Sequence, residues 1–215
     1  EELGPPPEPT EYAKARPKRD TAGIRSFLGM TSESLELVCC RDFVGKCGSG
    51  GPLAQPYSVE VAPSALLVMD LHAHLSCAEV IGFLGGEWDP LLRRIEVKEA
   101  FPCRSTTEGE QSRTSCEMDP EAEVEVRAAM EAKDMQVVGW YHSHPVFAPS
   151  PSSKDVDNQL NYQHLFHHQA SGVAPFVGVI VGPYDVRLPS TASALEVFCT
   201  QMRAGEQVAM RVELE

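Results

Sequence analysis

The stretch GWYHSHPVFAPSPSSKDVDNQ, residues 139–159, packs the end of a buried strand, a proline-rich loop and the start of a helix into one window. The apolar run MQVVGWYHS (135–143) has the length and content of a buried strand. Pro145 ends it, because proline has no amide hydrogen to give a sheet ladder. After a gap of seven residues from His144 the chain reaches Ser152, and three further on Asp155, a spacing that caps a helix through SSKDVDNQLNYQHLFHHQ (152–169). Taken singly, these residues are ordinary: His142 and His144 are polar groups at a strand end, and Ser152 with Asp155 is a helix cap.

Together they fit a metal. Alternate residues of a strand point the same way, so both imidazoles reach one point. A loop of this length returns the next helix to that point and makes Asp155 a third, oxygen ligand. Two imidazoles, one carboxylate and an open fourth position form the catalytic kind of zinc site.

Strands and helices alternate on both sides of this window. YSVEV (57–61) alternates as a strand, and Pro63 opens a helix in PSALLVMDLHAHL (63–75). AEVIGFLGG (78–86) and LRRIEVKEA (92–100) form two strands about a Trp88-Asp89-Pro90 bend. A polar loop over 102–118 precedes a helix capped by Asp119, with Pro120 in its first turn. PFVGVIVGPY, ALEVFCT and QVAMRVEL complete the strands. The fold class is therefore α/β, a mixed sheet with helices on its faces.

Residues 1–56 read as an extension rich in proline and charge, and 57–215 as the catalytic unit. SLELVCCRDFV (34–44) is expected to lend the body a strand or short helix. The basic run Arg16–Arg19 is a localisation patch or solvated linker. The chain opens on Glu1, as a piece of a longer protein would.

A net charge of -13 argues against a direct grip on nucleic acid. No apolar run is long enough for a membrane span. Seven cysteines without a C-x-x-C pair imply reduced thiols in cytosol or nucleus. His72 and His74 sit two apart on a helix and face different ways. His164, His167 and His168 fall near the end of the helix after Asp155, where the dipole favours them.

His-Ser-His-Pro followed by Ser152 and Asp155 resembles the JAMM motif of MPN-domain metalloproteases, which remove ubiquitin or ubiquitin-like proteins. That family places a glutamate on an early strand, and Glu79 in CAEVIGFLGG matches it. The resemblance covers about 57–200, with ALLVMDLHAHLSCAEVIGFLGG, CEMDP and VVGWYHSHPVF looking closest to the nuclear branch that acts on histone 2A. It implies the MPN (JAMM) fold, a cytidine-deaminase-like mixed sheet flanked by helices. It implies one catalytic zinc on His142, His144 and Asp155, with Glu79 as the proton-transferring base and Ser152 as an oxyanion donor. Ubiquitin and a ubiquitinated histone or nucleosome are the implied partners, and the nucleus the implied location. Two alternatives stay open: a protease for one polyubiquitin linkage, and a non-catalytic MPN scaffold. The second, structural zinc of some relatives is not expected, because GPYDVRLPSTAS (182–193) lacks a Cys/His set. The 102–118 loop, FLGGEW and PVFAP are candidate walls for an extended ubiquitin tail.

Overall fold

The computed structural model describes residues 36–49, 51, 53–107, 115–145, 147–183 and 192–215. Arg16–Arg19 and residues 184–191 of GPYDVRLPSTAS lie outside these residues, as do 108–114 of the polar loop. Eight strands form one mixed sheet: β1 (Arg41–Asp42), β2 (Ser58–Val61), β3 (Ile81–Asp89), β4 (Arg94–Cys103), β5 (Gln136–Ser143), β6 (Val177–Gly182), β7 (Ala194–Arg203) and β8 (Glu206–Arg211). Their order is β1-β8-β7-β6-β5-β3-β4-β2. Parallel pairing joins β5 to β6, β2 to β4 and β1 to β8, and the other neighbours run antiparallel.

Among the described residues, three helices cover the two faces. On one side α1 (Pro63–His74) buries Ala65, Met69 and Ala73 against Ile95, Val97, Tyr141 and Val179. On the other, α2 (Pro120–Glu131) and α3 (Ser153–Leu165) bury Ala122, Met130 and Val156 against Phe83, Trp140, Ile180 and Phe198. Prolines stand in the first turns of α1 and α2, where an amide donor is not needed. Asp119 caps α2 by accepting from the Glu121 amide at 3.0 Å.

One irregularity decides what β5 presents to each side. Leu84 pairs with Gly139 but Gly85 pairs with Val137, so Val138 is an extra, bulged residue. Val137 packs into the core under α2 and α3, and Val138 into the core under α1. Strict alternation from there would turn Trp140 and His142 toward α1. The bulge resets the phase and puts both on the α3 side, because a one-residue slip exchanges the faces of a strand.

The helix expected through residue 169 stops at Leu165. Phe166 instead lays its ring on Phe176, with centroids 4.9 Å apart and planes 8° from parallel. The chain then closes a tight turn in which the His168 amide donates to the Val173 carbonyl at 2.8 Å. Gly172 takes φ +67 in that turn, a conformation favouring glycine. His167 and His168 are therefore not helical, and His168 Nδ1 bonds to Ser171 Oγ at 2.8 Å.

The segment before β2 is joined to the body. The Val38 amide donates to the Pro151 carbonyl at 2.7 Å, and the Ser153 amide to the Glu36 carbonyl at 3.0 Å. Gln55 is buried and bonds to Tyr57 and Glu213 backbone.

Candidate metal centre

His142 is the last but one residue of β5, and His144 follows directly after the strand. The His144 amide still donates to Val181 O at 2.8 Å, so β6 holds the chain straight past the strand end. Ser143 points the other way. Its hydroxyl accepts from the Val80 amide and its own amide donates to Val80 O, each at 3.0 Å. This clasp brings the 76–80 segment beside the histidines, and with it Glu79. That glutamate lies two residues ahead of β3 instead of inside it.

Asp155 comes from the first turn of α3. Ser152 Oγ accepts from the Asp155 amide at 3.2 Å, and the Asp155 carboxylate accepts from the Ser152 amide at 2.7 Å, a reciprocal capping box. Both histidines, Asp155 and Glu79 are buried.

The donor atoms converge. His142 Nε2 lies 3.0 Å from His144 Nε2 and 3.3 Å from Asp155 Oδ1, and His144 Nε2 lies 3.7 Å from Asp155 Oδ2. Ligands held tetrahedrally at about 2.0–2.1 Å stand roughly 3.3 Å from one another, so these separations suit one small cation. The tautomer agrees. His144 Nδ1 donates to the Ala148 carbonyl at 2.8 Å, which leaves a lone pair on Nε2. A lone pair aimed at a second imidazole and a buried carboxylate needs a proton or a cation among them. His142, His144 and Asp155 are the one such cluster of three potential ligands among the described residues.

Electrostatics separates the two carboxyl groups. Burial alone would raise Asp155, but His142 and His144 hold it well below the ordinary carboxylate range. Burial pushes Glu79 up to about 7. His144 opposes that rise, Asp155 adds to it, and a hydrogen bond from the Cys116 thiol opposes it again. A carboxyl near neutrality beside a cation site can accept a proton and return it. Cys116 is itself pushed far up, first by burial and then by Glu79 and Asp155, so its sulfur stays a thiol.

Glu79, Cys116, His144, Ser152, Lys154 and Asp155 line one small cleft. Lys154 Nζ bonds to Ser115 Oγ at 3.0 Å and to Glu117 Oε1 at 2.9 Å, which ties the far end of the 102–118 loop to α3. Phe147 packs on His144 with ring centroids 4.2 Å apart. The other histidines stand elsewhere: His72 Nδ1 bonds to the Tyr141 hydroxyl at 2.8 Å, His74 Nδ1 to Asp70 O at 2.8 Å, and His164 is exposed. All seven cysteines are free.

Residues 54–168, more than half of the chain, match the JAB1/Mov34/MPN/PAD-1 ubiquitin protease family. The chain belongs to that family. The matched span includes Glu79, His142, His144, Ser152 and Asp155. Among curated relatives, the histone 2A deubiquitinase MYSM1 of Branchiostoma floridae is 36% identical over 202 residues, 94% of this chain and 23% of the relative. Deubiquitinase MYSM1 of Homo sapiens is 46% identical over 135 residues, covering 63% of this chain and 16% of the relative. A human MPN domain-containing protein is 34% identical over 144 residues, 67% of this chain and 29% of that protein. The chain thus spans less than a third of the length of each. The solution structure of protein DSY2949 from Desulfitobacterium hafniense superposes with a TM-score of 0.53 at 18% identity, covering 73% of this chain and 92% of that one. The sheet and helices described above are the MPN fold of this family, as the motif resemblance implied.

Two neighbours of the site escaped the motif. Cys116 lies in a loop whose position sequence does not give. Trp140 stands two residues before His142, and that alternate spacing was its only available signal.

Proposed function

We propose that this chain is a zinc-dependent deubiquitinase that hydrolyses the isopeptide bond between the ubiquitin C-terminus and a substrate lysine, acting on histone 2A in the nucleus. The observation that carries this reading is the convergence of His142, His144 and Asp155 beside Glu79 and Ser152 in one cleft. The names of the Branchiostoma floridae and human relatives support the substrate class. Within this reading 57–215 is the catalytic unit and 1–56 an extension from it.

Zinc bound there would acidify a water and draw charge from the substrate carbonyl. Glu79 takes a proton from the attacking water as its oxygen bonds to the carbonyl carbon of the terminal glycine. The Ser152 hydroxyl, which donates to Asp155 Oδ2 in the substrate-free chain, turns to donate to the oxygen on which negative charge develops. When the carbon–nitrogen bond breaks, Glu79 gives the proton to the departing lysine amine. Water has then added across the bond, leaving a ubiquitin carboxylate and a free lysine. Asp155 and the two imidazoles supply ligand atoms and do not exchange protons with substrate.

Cleavage of ubiquitinated nucleosomes and of a diubiquitin linkage panel tests the substrate. Release of ubiquitin from histone 2A supports the reading. Cleavage of diubiquitin alone replaces histone with a polyubiquitin substrate. No cleavage of either by zinc-loaded protein would point to a scaffold.

A further inference from the structure

A metal-ligating histidine usually gives its second ring nitrogen to a hydrogen-bond acceptor, which fixes the ring and its tautomer. His144 does this through Ala148 O. His142 does not: its Nδ1 is buried and has no hydrogen-bond partner among the described residues. A buried donor without a partner is destabilising, and the ring also lacks the usual means of orientation.

Another contact takes the place of that bond. The Trp140 indole lies flat against the His142 imidazole, with centroids 4.7 Å apart and planes 14° from parallel. The indole is itself fixed, because Trp140 Nε1 donates to Gln159 Oε1 at 2.7 Å. Gln159 is fully buried, and its amide nitrogen donates to Phe176 O and to Gln163 Oε1, each at 2.9 Å. All three polar atoms of Gln159 and Trp140 therefore have partners, and neither side chain can rotate without losing one. Gly178 leaves the room this requires, since a Cβ there would stand 3.0 Å from Gln159 Oε1. The bulge at Val138 places Trp140 and His142 on the same side of the sheet as α3.

We propose that Trp140 is the positioning residue for His142, holding the imidazole by stacking where other metal histidines are held by a hydrogen bond, with Gln159 locking the indole. This rests on His142 being a metal ligand. It assigns Trp140 and Gln159 to the metal centre, although neither offers a ligand atom to it.

The test measures zinc affinity by chelator competition and the visible spectrum of the cobalt-substituted protein. The parent is compared with Trp140→Leu, Trp140→Phe and Gln159→Met, and the thermal midpoint of each metal-free chain is recorded. Trp140→Leu should weaken zinc binding about 10- to 100-fold and shift the cobalt bands, while Trp140→Phe, which keeps a flat ring, should lose much less. Gln159→Met unlocks the indole and should fall between them; it decides the matter alone if Trp140→Leu does not fold. A purely structural role would lower the midpoint and leave zinc affinity and the cobalt spectrum unchanged. Parent-like affinity and spectrum in folded Trp140→Leu, or in Gln159→Met where that is the folded variant, would overturn the inference while leaving the metal centre standing. A parent that binds neither metal would overturn both.

Discussion

One carboxylate oxygen of Asp155 accepts both the amide and the hydroxyl of Ser152 at 2.7 Å, while the other oxygen faces His142 Nε2 at 3.3 Å. The same side chain therefore starts the helix and joins the His142, His144 and Asp155 cluster. The capping box therefore helps to aim the Asp155 carboxylate at the two histidines.

Replacing Ser152 separates its two uses. Ser152→Ala should cost about 1 kcal/mol of stability through the lost cap. It should also lower kcat about 10²- to 10³-fold through the lost oxyanion donor, with zinc content unchanged. Steady-state kinetics beside a urea titration measures both. A stability loss with unaltered kcat would leave Ser152 as a cap only.

Glu79 makes the metal-free protein sensitive to pH. Its carboxyl rises from 4.5 to about 7 on folding, so the fold prefers it protonated. The group costs nothing below about pH 4.5, where folded and unfolded chains both carry the proton. Between 4.5 and 7 the unfolded chain ionises first and stability falls. In Glu79→Gln this loss is absent, so the variant should gain on the metal-free parent by on the order of 3 kcal/mol between about pH 4.5 and pH 8. Urea midpoints across that range give the difference. An equal pH dependence in the two proteins would contradict the buried, raised carboxyl.

Stripping the metal should cost stability as any ligand of the folded state does. At a hundredfold excess of zinc over its Kd the gain is about 2.7 kcal/mol, or roughly 5–10 °C in Tm for a chain of this size. His142→Ala should show no such gain. Calorimetry with and without chelator measures it.

The strap before the domain should matter to the site. Val38→Pro removes the donor to Pro151 O and disturbs the bridge between Leu37 and Ser152. Faster amide exchange at Ser153 and Asp155 is expected, with the sheet core unaffected. Unchanged exchange at both amides would show that α3 starts without this support.

The spacing of His142, His144 and Asp155 was legible in the sequence because all three lie within one strand–loop–helix window. Local periodicity places such groups without knowledge of the sheet. Glu79 was legible only through the family motif, since it meets the site by the clasp of Val80 on Ser143, a pairing across 63 residues that no local pattern encodes. The bulge at Val138 was hidden for the same reason, being a relation between β3 and β5 and not a property of either. The 34–44 segment was expected to add a strand or short helix, and it supplies β1, but its contacts on Pro151 and Ser153 run mainly through the backbone of Glu36 and Val38, which no side-chain pattern announces. The end of α3 was misplaced because the polar run continues past Leu165, while Phe166 leaves the helix to stack on Phe176.

The most direct measurement of the central claim is the zinc content of the purified chain together with isopeptide cleavage by the parent and by Glu79→Gln. One zinc per chain in both proteins, with cleavage by the parent alone, is the predicted result. A parent without zinc, or a Glu79→Gln variant that cleaves as fast as the parent, would contradict it.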